Sequence, residues 1–272
     1  LNILQTIVLA IIQGISELFP VSSVAHSVIA PYVFGWKLDP TFLKQNFLEF
    51  VVMMHLGTTA ALLVYFRKDW AEIIRSMFVR GQSKKTLLLL AAGSVPAAVL
   101  GLIFEKKITS VFSNVTVAAA FLIANGVLLF LGERLRRKGT KTIEDLTWKQ
   151  AGVIGLFQSL ALIPGFSRSG SSMTAGFWVG LSNEESAKFS MLLAAPAILG
   201  AGLFEVPKMV RVHTPGLLQL SLVGGIVAGA FAFLSVFLLM KWFHRKEINT
   251  MAPFSVYCAV VGLLVLGSRF LF

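Results

Sequence analysis

The sequence holds one cysteine, Cys258, in 272 residues. It can build no intramolecular disulfide and no metal-thiolate cluster, which argues against redox chemistry. Charge is scarce as well: 14% of residues are Asp, Glu, Lys or Arg, against about 25% in a soluble globule. A chain so poor in charge and 56% hydrophobic must turn most of its surface to lipid. Acidic residues are the scarcer sign, 13 against 24 Lys and Arg, for a formal charge of +11. That excess does not point to nucleic acid, because the basic residues fall in short tracts between long apolar runs and not along one polar face. No charged n-region or small-residue cleavage site leads from Leu1 into the first apolar stretch. A trimmed start without a separate signal peptide is expected, with the helices themselves directing insertion.

What is present is long apolar runs. A bilayer crossing takes about 20 such residues in a row, and six runs qualify: 47–66, 87–104, 117–131, 189–206, 217–240 and 254–272. Two further stretches, 1–34 and 148–181, are broken near the middle. Pro20 followed by Ser22 and Ser23 breaks the first, and Pro164-Gly165 followed by Ser167-Arg168-Ser169-Gly170 breaks the second, so neither reads as one helix. Lys and Arg accumulate in cytoplasmic loops. That places inside the tract of Arg67, Lys68, Arg75, Arg80, Lys84 and Lys85, and the tract of Arg134, Arg136, Arg137, Lys138, Lys141 and Lys149. Lys241, Arg245 and Lys246 fall inside too if the later spans alternate. The count closes only if each broken stretch enters and leaves on one side. The expected fold is therefore an all-α integral membrane protein, one domain over 1–272, with six full transmembrane helices and two re-entrant broken helix pairs. The first pair opens outward and the second to the cytoplasm.

The two halves, 1–135 and 148–272, also resemble each other. Gln13 to His26 around Pro20 answers Gln158 to Gly170 around Pro164, Glu49-Phe50 answers Lys188-Phe189, and Gly126 to Arg134 answers Gly262 to Arg269. Each half is one broken pair plus three crossings. An odd number of crossings inverts the second half, so the breaks approach from opposite faces and meet near the midplane.

Broken backbone at membrane depth marks a site by default. Gln13 and Glu17 lie one turn apart on a shared face, Ser22 or Ser23 can cap the helix after Pro20, and His26 sits in its first turn. Ser167 can cap a helix opening with Arg168, Ser169 and Gly170. Two helix N-termini facing each other, with one fixed cation and up to four hydroxyls, describe a site for a multiply charged oxyanion. Beside such an anion, Glu17 is held by Arg168, carries a proton, or binds a hard divalent cation that bridges to phosphate. The plainer readings are that the serines only cap helices and that His26 is a satisfied core histidine. His55 and Asn125, inside spans, read as interhelical hydrogen-bonding residues, and Gly176/Gly180 and Gly225/Gly229 as close-packing surfaces. His213 and His244 carry no assignment, and Glu49 is a weaker candidate for the site. Trp36, Trp70, Trp148 and Trp242 read as interfacial anchors.

On these residues the chain resembles the undecaprenyl-diphosphate phosphatases, or bacitracin-resistance proteins, of bacteria, over essentially its whole length. Gln13-Gly14-Ile15-Ser16-Glu17-Leu18-Phe19-Pro20-Val21-Ser22-Ser23 with His26 looks like one family motif, and Pro164-Gly165-Phe166-Ser167-Arg168-Ser169-Gly170 like the other. The resemblance implies removal of the terminal phosphate from a long-chain isoprenyl diphosphate lipid, recycling the cell-wall carrier in the bacterial inner membrane, with the site facing outward. It implies a divalent cation, Mg2+ or Ca2+, with Glu17 as its ligand. Membrane lipids are the other expected partners, a homodimer is compatible with the resemblance, and no nucleic acid is expected. Two positions depart: Ser172, with Thr174 two residues on, stands where the family often has Thr, and Gln13 where many relatives carry Glu.

The expected catalytic residues are Glu17, Ser23, His26 and Arg168. Gln13, Ser22, Gly165, Ser167, Ser169, Gly170, and Ser172 or Thr174 hold the substrate. Attack comes from Ser23 with His26 as its base, from His26 itself, or from metal-activated water, and the spacing of Ser23 and His26 allows their side chains to meet on a helix. The rival from another class is an inverted-repeat transporter or lipid flippase binding an anionic phospho-substrate at the midplane.

Overall fold

A computed structural model describes residues 1–39, 42–43, 46–79, 83–136, 139–212, 216–244 and 249–271. Arg80, Arg137, Lys138, His213, Arg245, Lys246 and Phe272 lie outside the described residues. Among the described residues, six helices are long and apolar enough to cross a membrane. They are α3 (Phe47–Tyr65), α5 (Lys85–Val111), α6 (Val115–Arg134), α9 (Asn183–Val212), α10 (Leu217–Phe243) and α11 (Ala252–Leu271). Most outrun the apolar windows that reveal them. Helix α5 continues through Glu105, Lys106 and Lys107, and α9 opens on Asn183, Glu184 and Glu185, because charge ends a hydrocarbon-compatible run without ending the helix.

The two broken stretches are α1 (Ile3–Ser16) with α2 (Ser23–Val33), and α7 (Trp148–Gln158) with α8 (Arg168–Trp178). Each of the four has 11 or 14 residues, shorter than the ~20 needed to span. A 3-10 turn, Ser159–Leu162, leads from α7 toward Pro164. Helix α4 (Arg67–Phe78) occupies the first basic tract. It is amphipathic, with Ile73 and Ser76 buried, and Asp69 reaches Lys188 at the start of α9 at 2.5 Å. From sequence that segment reads only as a basic loop. Its four charged residues in the first six hide a short apolar stripe from any search for 20-residue runs.

The halves interlock. Helix α1 packs on α10 and α7 packs on α5; α3 lies against both α10 and α9, α9 against α5, and α6 against α11. Exchanging the halves turns each of these pairings into another of the set or into itself. Small residues set the closest approaches, as membrane helices without a hydrophobic drive require. A Cβ on Gly57 of α3 would lie 1.9 Å from the Gly225 carbonyl oxygen of α10, and one on Gly155 of α7 would lie 2.0 Å from the Gly93 oxygen of α5. Neither carbonyl can yield without moving its helix. Gly57→Ala is expected to lower stability by about 1–3 kcal/mol, the usual cost of overpacking, read as a reduced melting temperature in detergent; an unchanged melt would mean that α3 and α10 are free to separate.

Candidate active site

Both breaks end in serine-capped helices. The Ala25 N–H donates to the Ser22 hydroxyl at 3.3 Å and the Gly170 N–H to the Ser167 hydroxyl at 3.1 Å. Pro20 and Pro164 deny the chain a continuous helix. The turn after Pro20 puts Ser22 at φ 66°, a left-handed conformation that costs a residue with a Cβ about 1–2 kcal/mol. The turn after Pro164 uses Gly165 at φ 117°, and a Cβ there would run into the Phe121 Cβ at 2.4 Å.

The two breaks are tied to each other directly. Ser169 donates its hydroxyl to the Phe19 carbonyl at 3.1 Å, and Gly170 lies where a Cβ would meet the Pro20 Cβ at 3.1 Å. Asn125 of α6 joins them from behind: its Nδ2 donates to the Pro20 carbonyl at 3.0 Å, and its Oδ1 accepts the Ser167 N–H at 3.0 Å. One buried amide thus satisfies an orphan carbonyl of the first break and an orphan N–H of the second. Losing each such bond costs about 1–3 kcal/mol.

At the junction sits Glu17, whose side chain is 3% exposed. Its Oε2 accepts from Ser23 Oγ at 2.6 Å, Gln13 Nε2 at 3.1 Å and His55 Nε2 at 3.0 Å. Its Oε1 faces Arg168 Nη2 at 3.3 Å and Nε at 3.4 Å. A buried carboxylate is tolerable only when its charge is matched and its lone pairs are filled, and here the donors come from both breaks and from α3. Arg168 also donates through Nη1 to the Ser190 carbonyl at 3.0 Å. A guanidinium has five N–H donors, so two remain for an anion.

A cavity of about 380 Å³ opens beside this cluster, bordered by Glu17, Ser22, Ser23, His55, Ser167 and Arg168. Its far walls are apolar, from Val51, Ala97, Gly101, Leu162, Ala197 and Phe204. It extends to Glu105 and Glu205, both held by Lys208 at 2.8 and 2.9 Å. A polar head over apolar walls suits a charged group carried on a hydrocarbon chain.

The other expected residues lie behind this face. Gln13 backs Glu17 and accepts from Ser27 at 3.4 Å. Ser169, Gly170 and Gly165 knit the breaks. Ser172 donates to the Arg168 carbonyl at 2.8 Å and lies 2.6 Å from Ser190 Oγ, while Thr174 is packed against Gly132 of α6; neither borders the cavity. His26 does not meet Ser23, although their spacing would allow it. Its Nδ1 donates to the Ser22 carbonyl at 2.7 Å and its Nε2 accepts from the Tyr257 hydroxyl of α11 at 2.7 Å, with the two rings stacked. These partners draw the imidazole onto α11 while Ser23 turns to Glu17.

The residue undervalued in sequence is His55. Its Nδ1 donates to the Val51 carbonyl at 2.8 Å, which aims Nε2 at Glu17 and leaves it 3.5 Å from Ser23 Oγ. The available signal was an ionisable side chain in the middle of an apolar span. Asn125→Leu, which strands both the Pro20 carbonyl and the Ser167 N–H, is expected to cost about 2–4 kcal/mol of stability. A melting temperature indistinguishable from that of the parent protein would show that the breaks do not depend on this bridge.

Residues 6–264 match the bacitracin resistance protein BacA family. The chain is 63% identical over 269 residues to undecaprenyl-diphosphatase 2 of Oenococcus oeni, covering 99% of each chain. It is 41% identical to undecaprenyl-diphosphatase 2 of Chromobacterium violaceum, over 97% of this chain and 98% of that one. It is also 41% identical to the undecaprenyl-diphosphatase of Acidiphilium cryptum, over 97% and 96%. With the match running through both breaks and all six long helices, the chain belongs to the bacitracin resistance protein BacA family.

Proposed function

We propose that this chain is a membrane phosphatase that hydrolyses undecaprenyl diphosphate to undecaprenyl phosphate and inorganic phosphate, recycling the carrier lipid of cell-wall synthesis. The observation that carries the reading is a serine hydroxyl 2.6 Å from a buried carboxylate, with Arg168 on the other side of that carboxylate, at the head of a cavity with apolar walls.

In this reading the Ser23 oxygen attacks the terminal phosphorus as its proton passes to Glu17, and the bond from that phosphorus to the bridging oxygen breaks. The lipid monophosphate leaves as an anion and needs no proton. Water then attacks the phosphoserine, the Ser23 O–P bond breaks, Glu17 returns its proton to Ser23, and inorganic phosphate keeps the proton lost by water. The two free Arg168 donors and the backbone N–H groups at the start of α8 serve the equatorial oxygens, where charge spreads during transfer. His55 keeps Glu17 turned toward Ser23. His26 holds α2 on α11.

Among the described residues no three His, Cys, Asp or Glu side chains gather in a cage for a metal. A hard cation does not need one: Mg2+ is commonly held by one or two carboxylates plus substrate phosphates. Glu17, with the Ser23 hydroxyl beside it, would be the protein's share of that donor set, the cation displacing one of the donors that Glu17 now accepts from. A bound Mg2+ or Ca2+ would neutralise phosphate charge there.

The pairing of helices across the halves supports an inverted repeat with re-entrant α1–α2 and α7–α8. A bacterial inner membrane is the setting that the relatives suggest, and an outward-facing site is supported by the course of α5. It begins at Lys85 in a basic tract, and Glu105, bordering the cavity, stands about 30 Å further along the axis at 1.5 Å per residue. Ser23→Ala is expected to lower phosphate release from a long-chain isoprenyl diphosphate at least about 1000-fold, and acid quenching of the parent enzyme should trap phosphoserine at Ser23; an alanine variant with normal turnover would sink the mechanism. His55→Gln, which keeps an N–H donor for Glu17, should retain most of kcat while His55→Leu loses about 100-fold; equal rates in the two would remove His55 from the site. Chelation of divalent cations should abolish turnover, with Mg2+ or Ca2+ restoring it.

A further inference from the structure

One neutral amide beside the cavity stands without a hydrogen-bond partner among the described residues. Gln158, the last residue of α7, is 2% exposed and borders the cavity together with Glu17 and Arg168. Neither its Nε2 nor its Oε1 meets a hydrogen-bond partner among the described residues. Sealing such a group without partners costs about 1–3 kcal/mol, and native chains rarely leave one so.

The first half shows what is missing. There Gln13, the counterpart of Gln158, donates to Glu17, four residues on, at 3.1 Å. Four residues on from Gln158 stands Leu162, which offers nothing. The neighbouring hydroxyls turn to local carbonyls and not to the amide: Ser159 donates to the Leu156 carbonyl at 2.5 Å, and Ser94 of α5, which borders the same cavity, to the Leu90 carbonyl at 2.8 Å. Nor can α7 shift to find a partner, because Gly155 fixes it backbone to backbone on Gly93. The amide is therefore held at the edge of an anion site with its donor unspent.

We propose that Gln158 binds the diphosphate head group: on substrate arrival its side chain turns from its sealed position into the cavity it borders, and Nε2 donates to a phosphate oxygen. This role rests on the phosphatase reading. A neutral donor adds a bond without adding a second fixed charge to compete with Arg168 for Glu17. The rotation loses no protein hydrogen bond, so little opposes it.

The signature is a residue whose removal harms binding but not folding. In the full-length protein in detergent, Gln158→Leu is expected to melt at or above the parent temperature. Its KM for a long-chain isoprenyl diphosphate should rise about tenfold with kcat within about twofold, the pattern of lost uniform binding. Inorganic pyrophosphate, which should raise the melting temperature of the parent protein, should raise that of the variant less. Gln158→Glu keeps the shape and sets a carboxylate against the phosphate, so its KM should rise further. A lower melting temperature with unchanged KM in Gln158→Leu would mean that the amide serves the fold through a buried water, and would overturn the proposal. If Gln158→Leu does not fold, an unchanged KM in Gln158→Glu overturns it equally. A parent protein that releases no phosphate yet is stabilised by pyrophosphate would instead sink the phosphatase reading, while the pyrophosphate response of Gln158→Leu would still judge the amide.

Discussion

The structure depends on one buried carboxylate being fully engaged. Glu17 takes donors from its own helix through Gln13, from the next through Ser23, from α3 through His55 and from α8 through Arg168. Taking a charge out of water costs several kcal/mol, and only close partners offset that. The groups that would carry chemistry are therefore the same groups that fix where the two breaks meet. Removing one leaves the others mispaired in a low-dielectric interior, so the cluster assembles as a whole.

Around that point the fold supplies rigidity by economical means. Prolines deny each break a continuous helix, serines cap the second helix of each pair, and Asn125 answers the two orphaned backbone groups that result. Glycines let α3 reach α10 and α7 reach α5 at backbone distance. The polar groups of the two breaks are thus buried in protein, which is where an apolar solvent tolerates irregular backbone.

The six long helices were legible because hydrocarbon thickness sets a length that apolar runs must meet, and both breaks because Pro followed by Ser cannot continue a helix. Glu17, Ser23 and Arg168 were legible as polar residues at breaks in long apolar stretches. What sequence hid was direction. The pair Ser23 and His26 has a spacing that permits contact, yet Tyr257, 231 positions away, claims the imidazole. His55 was visible as an ionisable residue in a span, but its distance along the chain from Glu17 concealed that it points there. Helix α4 was masked by its charge, since amphipathic helices bury too narrow a stripe for a long apolar window to register.

The interlocking of the halves has a consequence for how the chain is made. Helix α1 lies against α10, and α3 against α9 and α10, so α1 and α3 find their most extensive partners only when the last third of this sequence has been made. Contacts of such long sequence separation form late. Until then α1 waits with its Gly14 groove, shaped to the Ala228 backbone, open to lipid. Membrane insertion of this protein is therefore separable in time from its final packing, the first half waiting in the bilayer for the second.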